Sequence, residues 1–174
     1  DLVRSRGLGD VYKRQDRSRE KRQLAIVDMQ GRAVNRNPAS ADYPSGIYWG
    51  GMSGRYYACQ GNTLTGREVI TAMAAAYEET RGSLADRLMA ALVAGDCAGG
   101  DHRGRLAAGI RVARKGTSGC WLELQVDQSD DAVVDLLRKY SELKHEAKGE
   151  WRGGQLPFQH PCPNRPKPKP PKSD

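Results

Sequence analysis

Two periods alternate along the chain. From 22 to 36, RQLAIVDMQGRAVNR sets an apolar run, a Met-Gln-Gly turn and a second short apolar run, which predicts a β-hairpin. Residues 36–54 are rich in Pro, Ser and Gly with Tyr43, Tyr48 and Trp49 interspersed, and predict an ordered loop. RYYACQ at 55–60 predicts a third strand. The period then lengthens: Val69, Ile70, Met73 and Tyr77 share a helical face behind a capping box running from Thr65 to Glu68. Ser83 and Asp86 repeat that device before a second helix, whose expected buried stripe is Leu84, Leu88, Ala91 and Leu92. RLAAGIRVAR and CWLELQVD, joined by KGTSG, predict an antiparallel pair of strands. Asp130 opens a last helix carrying Val133, Leu136, Leu137, Tyr140 and Leu143. The predicted order, β-β-β-α-α-β-β-α, groups strands with strands and helices with helices, and so points to an α+β layered domain.

The ends differ from this middle. DLVRSRGLGDVYKRQ has neither period; it resembles a translated sequencing adapter of the kind found in metagenomic gene models, so 1–21 is set aside as an artefactual or disordered leader. The stretch 151–174, ending NRPKPKPPKSD, predicts a disordered Pro/Lys-rich tail. Charge follows the same division. The net charge is +7, of which 1–22 and 152–174 carry +4 each, leaving −1 for 23–151. Nucleic-acid binding needs basic residues clustered on a folded face, so a nucleic-acid partner is not expected. No apolar run approaches the roughly 18 residues of a membrane span, and no signal peptide is visible, which leaves the compartment open. Cys59, Cys97, Cys120 and Cys162 form no C-x-x-C and have no His at ligand spacing, so neither a metal site, a cofactor nor a disulfide scaffold is expected.

Candidate chemistry gathers at two corners. In QGNTLTG, 60–66, Gln60 and Asn62 offer side-chain amides, Gly61 allows close backbone approach, and a helix N-terminus follows. The competing interpretation is a turn whose amides satisfy their own backbone. In GGDHRG, 99–104, Gly99 and Gly100 end a helix and clear space, while Asp101 and Arg103 can pair at the mouth of the next strand. His102 lies between them and is given little weight as a ligand or base, and Trp49 reads as a site wall or, by preference, as core packing. Ser53, Thr63 and Thr65 have no His-Asp partner in the sequence, so a Ser-His-Asp triad has no support.

RQLAIVDMQGRAV, the QGN corner, LADRLMAALVAG and AGGDHRG, in this register over about 22–150, resemble the DUF1028 family. The resemblance implies a partial four-layer αββα sandwich of N-terminal-nucleophile hydrolase type with antiparallel sheets. It further implies an additional leading segment, so that 22–150 is expected to be a C-terminal fragment lacking its nucleophile. Such hydrolases attack an amide with an N-terminal Thr, Ser or Cys whose own α-amino group is the base. By the same resemblance Gln60, Asn62, Asp101 and Arg103 are supporting residues, with Gly61, Gly99, Gly100, His102 and Trp49 on the substrate side. A small amide or peptide, cell-wall amides included, is the implied substrate. The family's Gln-Ser is replaced here by Leu106 and Ala107, which favours the rival expectation of a non-catalytic binding or oligomerisation domain. A sheet edge left unpaired by truncation would also promote homo-oligomers.

Overall fold

The structure is a computed structural model that describes residues 15–38, 47–116, 118–146 and 160–165. The expected leader at 1–14, the middle of the expected loop at 39–46, and the parts of the tail at 151–159 and 166–174 lie outside the described residues. Within them the chain is α+β: three helices and three two-stranded antiparallel sheets. Strand β1 (Leu24–Val27) pairs with β2 (Ala33–Arg36), β3 (Tyr48–Gly54) with β4 (Tyr57–Leu64), and β5 (Ala108–Val112) with β6 (Leu122–Val126). Helices α1 (Glu68–Glu79) and α2 (Leu84–Cys97) follow β4, and α3 (Ala132–Glu146) follows β6.

Three features depart from the sequence expectation. Part of the 36–54 loop is a strand, because Tyr48–Gly54 finds its partner in β4, a long-range pairing that local composition does not announce. The Thr65–Glu68 capping box does not form: the residue before α1 is Arg67, and no side chain caps it. Third, the buried stripe of α2 holds at Leu88, Ala91 and Leu92 but is shifted at the start of the helix. Leu84 is 49% exposed, whereas Ala85, Asp86 and Met89 are fully buried. Small residues on that face let neighbouring elements approach closely, and the buried aspartate fixes the rotation.

Helix α2 is the wall shared by two cores. On one side Met89 and Val93 pack with Ile110, Val126, Leu136 and Tyr140 from β5, β6 and α3. On the other, Ala91 joins Tyr57, Leu64, Val69, Ile70 and Tyr77 from β4 and α1. Cys59 belongs to this second core; its Sγ is 3.7 Å from Met73 Sδ, and burial pushes its thiol up to about 11. The Ser83–Asp86 capping box does form, with Ser83 Oγ accepting from the Asp86 N–H and Asp86 Oδ2 accepting from the Ser83 N–H at 3.0 Å. The other carboxylate oxygen accepts from Tyr140 Oη at 2.9 Å, so the cap of α2 also holds α3. No helix among the described residues is long and apolar enough to cross a membrane.

A hydrogen bond to a buried charge contributes about 1.5–3 kcal/mol. Tyr140→Phe, which keeps the ring and removes the donor, is expected to lower unfolding free energy by about that amount. Urea melts of the two proteins, compared at equal m-values, check it.

Candidate functional site

Strand β4 runs straight through the QGN corner to Leu64, so Gln60, Gly61 and Asn62 are strand residues and not a strand-to-helix connection. The register gives the reason. Tyr48 faces Leu64 and Gly50 faces Gly61, so Trp49 alone stands opposite Asn62 and Thr63. That two-against-one mismatch is a β-bulge, which bends a strand and re-aims its side chains. Thr63 takes the left-handed conformation there, φ 54°, which is uncommon for a β-branched residue and confined to sites where the surroundings enforce it.

The second corner begins where α2 stops. Gly99 N–H donates to Asp96 O and Gly100 N–H to Gly95 O, both at 3.0 Å, the hydrogen-bond pair of a Schellman helix end. Gly99 has φ 120° and Gly100 φ 59°, conformations that glycine adopts without a Cβ penalty. A Cβ at Gly99 would also run into the Thr65 side chain. Thus the paired glycines reverse the chain so that the next residue returns to β4.

The two corners meet. Leu64 and Asp101 form an antiparallel bridge, Thr65 N–H donates to Gly100 O at 3.0 Å, and His102 N–H donates to Thr63 O at 2.9 Å. Thr63 Oγ1 donates to Asp101 Oδ2 at 3.1 Å. Arg103 grips the same carboxylate bidentately, Nε to Oδ1 at 3.0 Å and Nη2 to Oδ2 at 2.7 Å, while its backbone N–H adds a bond of 2.8 Å to Oδ1. Burial pushes the Asp101 carboxyl up, but Arg103 and the Thr63 hydroxyl outweigh it and hold the group below the ordinary carboxylate range. Arg103 itself is 63% exposed at its side chain.

Of the residues expected from the sequence, Asn62, Gly99, Gly100, Asp101 and Arg103 gather around this junction, with Gly61 just before it. His102 enters through its backbone, Trp49 sits across the bulge, and Gln60 is exposed opposite Gly51. Gln23 was not expected. Its Nε2 lies within hydrogen-bonding distance of Gly50 O, Gly61 O and Asn37 Oδ1, and its Oε1 accepts from Asn62 Nδ2 at 3.3 Å, tying the first hairpin to the bulged strand. A lone Gln before a strand carries no pattern that would reveal this.

A further polar cluster lies behind the glycine corner. Asp96, 3% exposed at its side chain, is paired by Arg105, and by Arg165 and His160 from the segment 160–165. Arg165 also reaches Asp131. Cys97 and Cys162 form a disulfide with Cα atoms 5.5 Å apart, so part of the stretch expected to be a solvated tail is docked. These contacts join residues distant in sequence, and Cys spacing alone gave no sign of them.

The model of a family described as of unknown function, DUF1028, matches residues 7–136. The crystal structure of protein SPO2555 from Silicibacter pomeroyi, a DUF1028 protein, is similar at a TM-score of 0.63 and 24% identity, a likeness of fold. The match covers 90% of this chain and 66% of that one, so this chain spans just under two thirds of its length. No curated protein matches.

Because the Asp101 pKa is depressed in the folded state, its stabilisation is full above the unfolded value of about 3.9 and is lost as pH falls through the folded value. Asp101→Asn is therefore expected to flatten the acid limb of stability against pH below about 4. Thermal melts between neutral pH and that range, on both proteins, measure the difference.

Proposed function

The chain belongs to the DUF1028 family, whose function is unknown, and from that premise we propose that it carries the substrate-anchoring part of an amide-bond hydrolase of N-terminal-nucleophile type. In this proposal the three sheets and three helices are part of a four-layer αββα sandwich. A strand on the N-terminal side of β1 brings a Thr, Ser or Cys to the junction of 60–64 and 99–103.

The supporting observation is that junction: a bulged strand with Thr63 at φ 54°, bonded to a carboxylate that Arg103 clamps from outside. Arg103 uses Nε and Nη2 on Asp101, and Nη1 makes no hydrogen bond among the described residues. A planar cation fixed in this way suits the carboxylate of a peptide or N-acyl amino acid. Asn62, on the exposed side of the bulge, supplies an amide donor of the kind that stabilises an oxyanion. The nucleophile's own α-amino group, with a pKa of roughly 7.7–8, serves as its base near neutral pH. Small peptides, cell-wall peptides included, are the substrate class.

A second reading, a non-catalytic self-associating domain, is favoured by strand β1. Leu24, Ile26 and Val27 are 39%, 40% and 45% exposed there, and Leu106 is 71% exposed beside the candidate site.

The longer protein that contains these residues distinguishes the two, assayed on dipeptides, N-acyl amino acids and muropeptides. Expected is hydrolysis that disappears when the leading Thr, Ser or Cys becomes Ala. Arg103→Ala should raise KM roughly 10–100-fold, the equivalent of one charged hydrogen bond, with kcat little changed. Hydrolysis that persists without the hydroxyl or thiol overturns the mechanism. No hydrolysis, together with concentration-dependent association, establishes the second reading.

A further inference from the structure

Among the described residues, a set of metal-ligating side chains gathers where the segment 160–165 meets the end of α2. Cys97, His160 and Cys162 each offer a ligand atom, and these atoms lie within 4.8 Å of one another. We propose that in the reduced chain these three side chains bind one zinc(II) ion, the disulfide being the oxidised form of the same site.

The orientation of His160 supports this. Its Nδ1 accepts the backbone N–H of Cys162 at 3.2 Å, a long bond that this nitrogen would exchange for a metal ion. Nε2 in turn stands 2.9 Å from Asp96 Oδ2, an ion-pair distance. The two atoms lie off the line of a hydrogen bond, and both are buried without a hydrogen-bond partner. The side chains concerned are 4% and 3% exposed. A carboxylate behind one imidazole nitrogen is the arrangement that orients a histidine toward a metal, and a ligand atom of this ring lies within 4.8 Å of both sulfurs.

Charge and chemistry agree. Asp96 and Asp131 are balanced by Arg105 and Arg165, so the surroundings are neutral before any metal enters. Two thiolates and a dication add no net charge. Zinc bonds of about 2.0–2.3 Å place tetrahedral ligand atoms roughly 3.5 Å apart, within reach of the observed cluster by small side-chain shifts. Sulfur and imidazole donors select zinc over the oxygen-preferring calcium and magnesium.

The site forms in two balanced steps. A trialkylphosphine and one water reduce the disulfide to two thiols, leaving the phosphine oxide. Zinc(II) then replaces the two thiol protons, which pass to solvent.

The test uses the 174-residue chain, reduced by phosphine and titrated with cobalt(II) as a spectroscopic stand-in, then with zinc(II). Expected are one cobalt per chain with a thiolate charge-transfer band and tetrahedral d–d bands, displacement by equimolar zinc, and release of about two protons per metal. Cys162→Ser and His160→Gln should weaken zinc binding by roughly 100-fold or more, beyond the 10–100-fold typical of outer-shell changes. Cys120→Ser should leave it unchanged. The wild-type spectrum and proton count stand whether or not a variant folds. A reduced wild-type chain with no charge-transfer band overturns the proposal, and so does a band of equal strength in the oxidised chain or in Cys162→Ser.

Discussion

Helix α2 has a buried aspartate near each end, and the molecule is arranged around keeping both satisfied. A carboxylate removed from water is costly unless it is paired or hydrogen-bonded. Asp86, fully buried, is satisfied by its own capping box and by Tyr140 of α3. Asp96, 4% exposed, collects Arg105 from the chain after the corner and Arg165 from the far end of the sequence. Those two requirements set the rotation of α2, the seat of α3 and the path out of the helix. Helix α2 also contributes to both apolar cores, so the placement of its charged ends and of the two cores is linked.

The path out of the helix also explains the polar corner. The Schellman end turns the chain back, Arg105 Nη2 reaches Gly99 O at 3.4 Å, and Asp101 returns to bridge Leu64. On its other side the backbone of 105–106 accepts from Ala132 and Ser129 at the start of α3, at 2.9 and 3.0 Å. Leu106 is therefore held by its carbonyl while its side chain is exposed. The backbone of 105–106 is thus bonded to the start of α3 whatever side chain stands at 106.

Elements whose signals are local were legible in the sequence. The 24–36 hairpin, the Ser83 cap, the paired strands β5 and β6 and the face of α3 all follow from period and turn chemistry within a few residues. The 99–104 corner was legible too, because a Gly-rich break between regular elements marks a reversal, whereas the 60–62 corner turned out to be part of strand β4. What escaped depends on distant partners. Strand β3 lacks β-branched residues and exists because β4 pairs with it; the bulge at Thr63 is a property of that register; the α2 stripe is set by Tyr140, 54 residues from Asp86. The cluster of Asp96, Cys97, His160 and Cys162 joins positions more than sixty residues apart, where no spacing rule applies. Conversely Thr65 and Glu68 satisfy a capping pattern, yet Thr65 N–H is already taken by Gly100 O, and the tertiary contact prevails over the local motif.

Cys59 illustrates what such layering does to reactivity. Sealed beneath α1 with its thiol raised to about 11, it offers almost no thiolate to an electrophile at neutral pH while the layers stay closed. Its rate of alkylation is therefore governed by how often β4 and α1 part. With Cys120 replaced, that rate would report the breathing of the very sheet that displays Asn62 and Thr63.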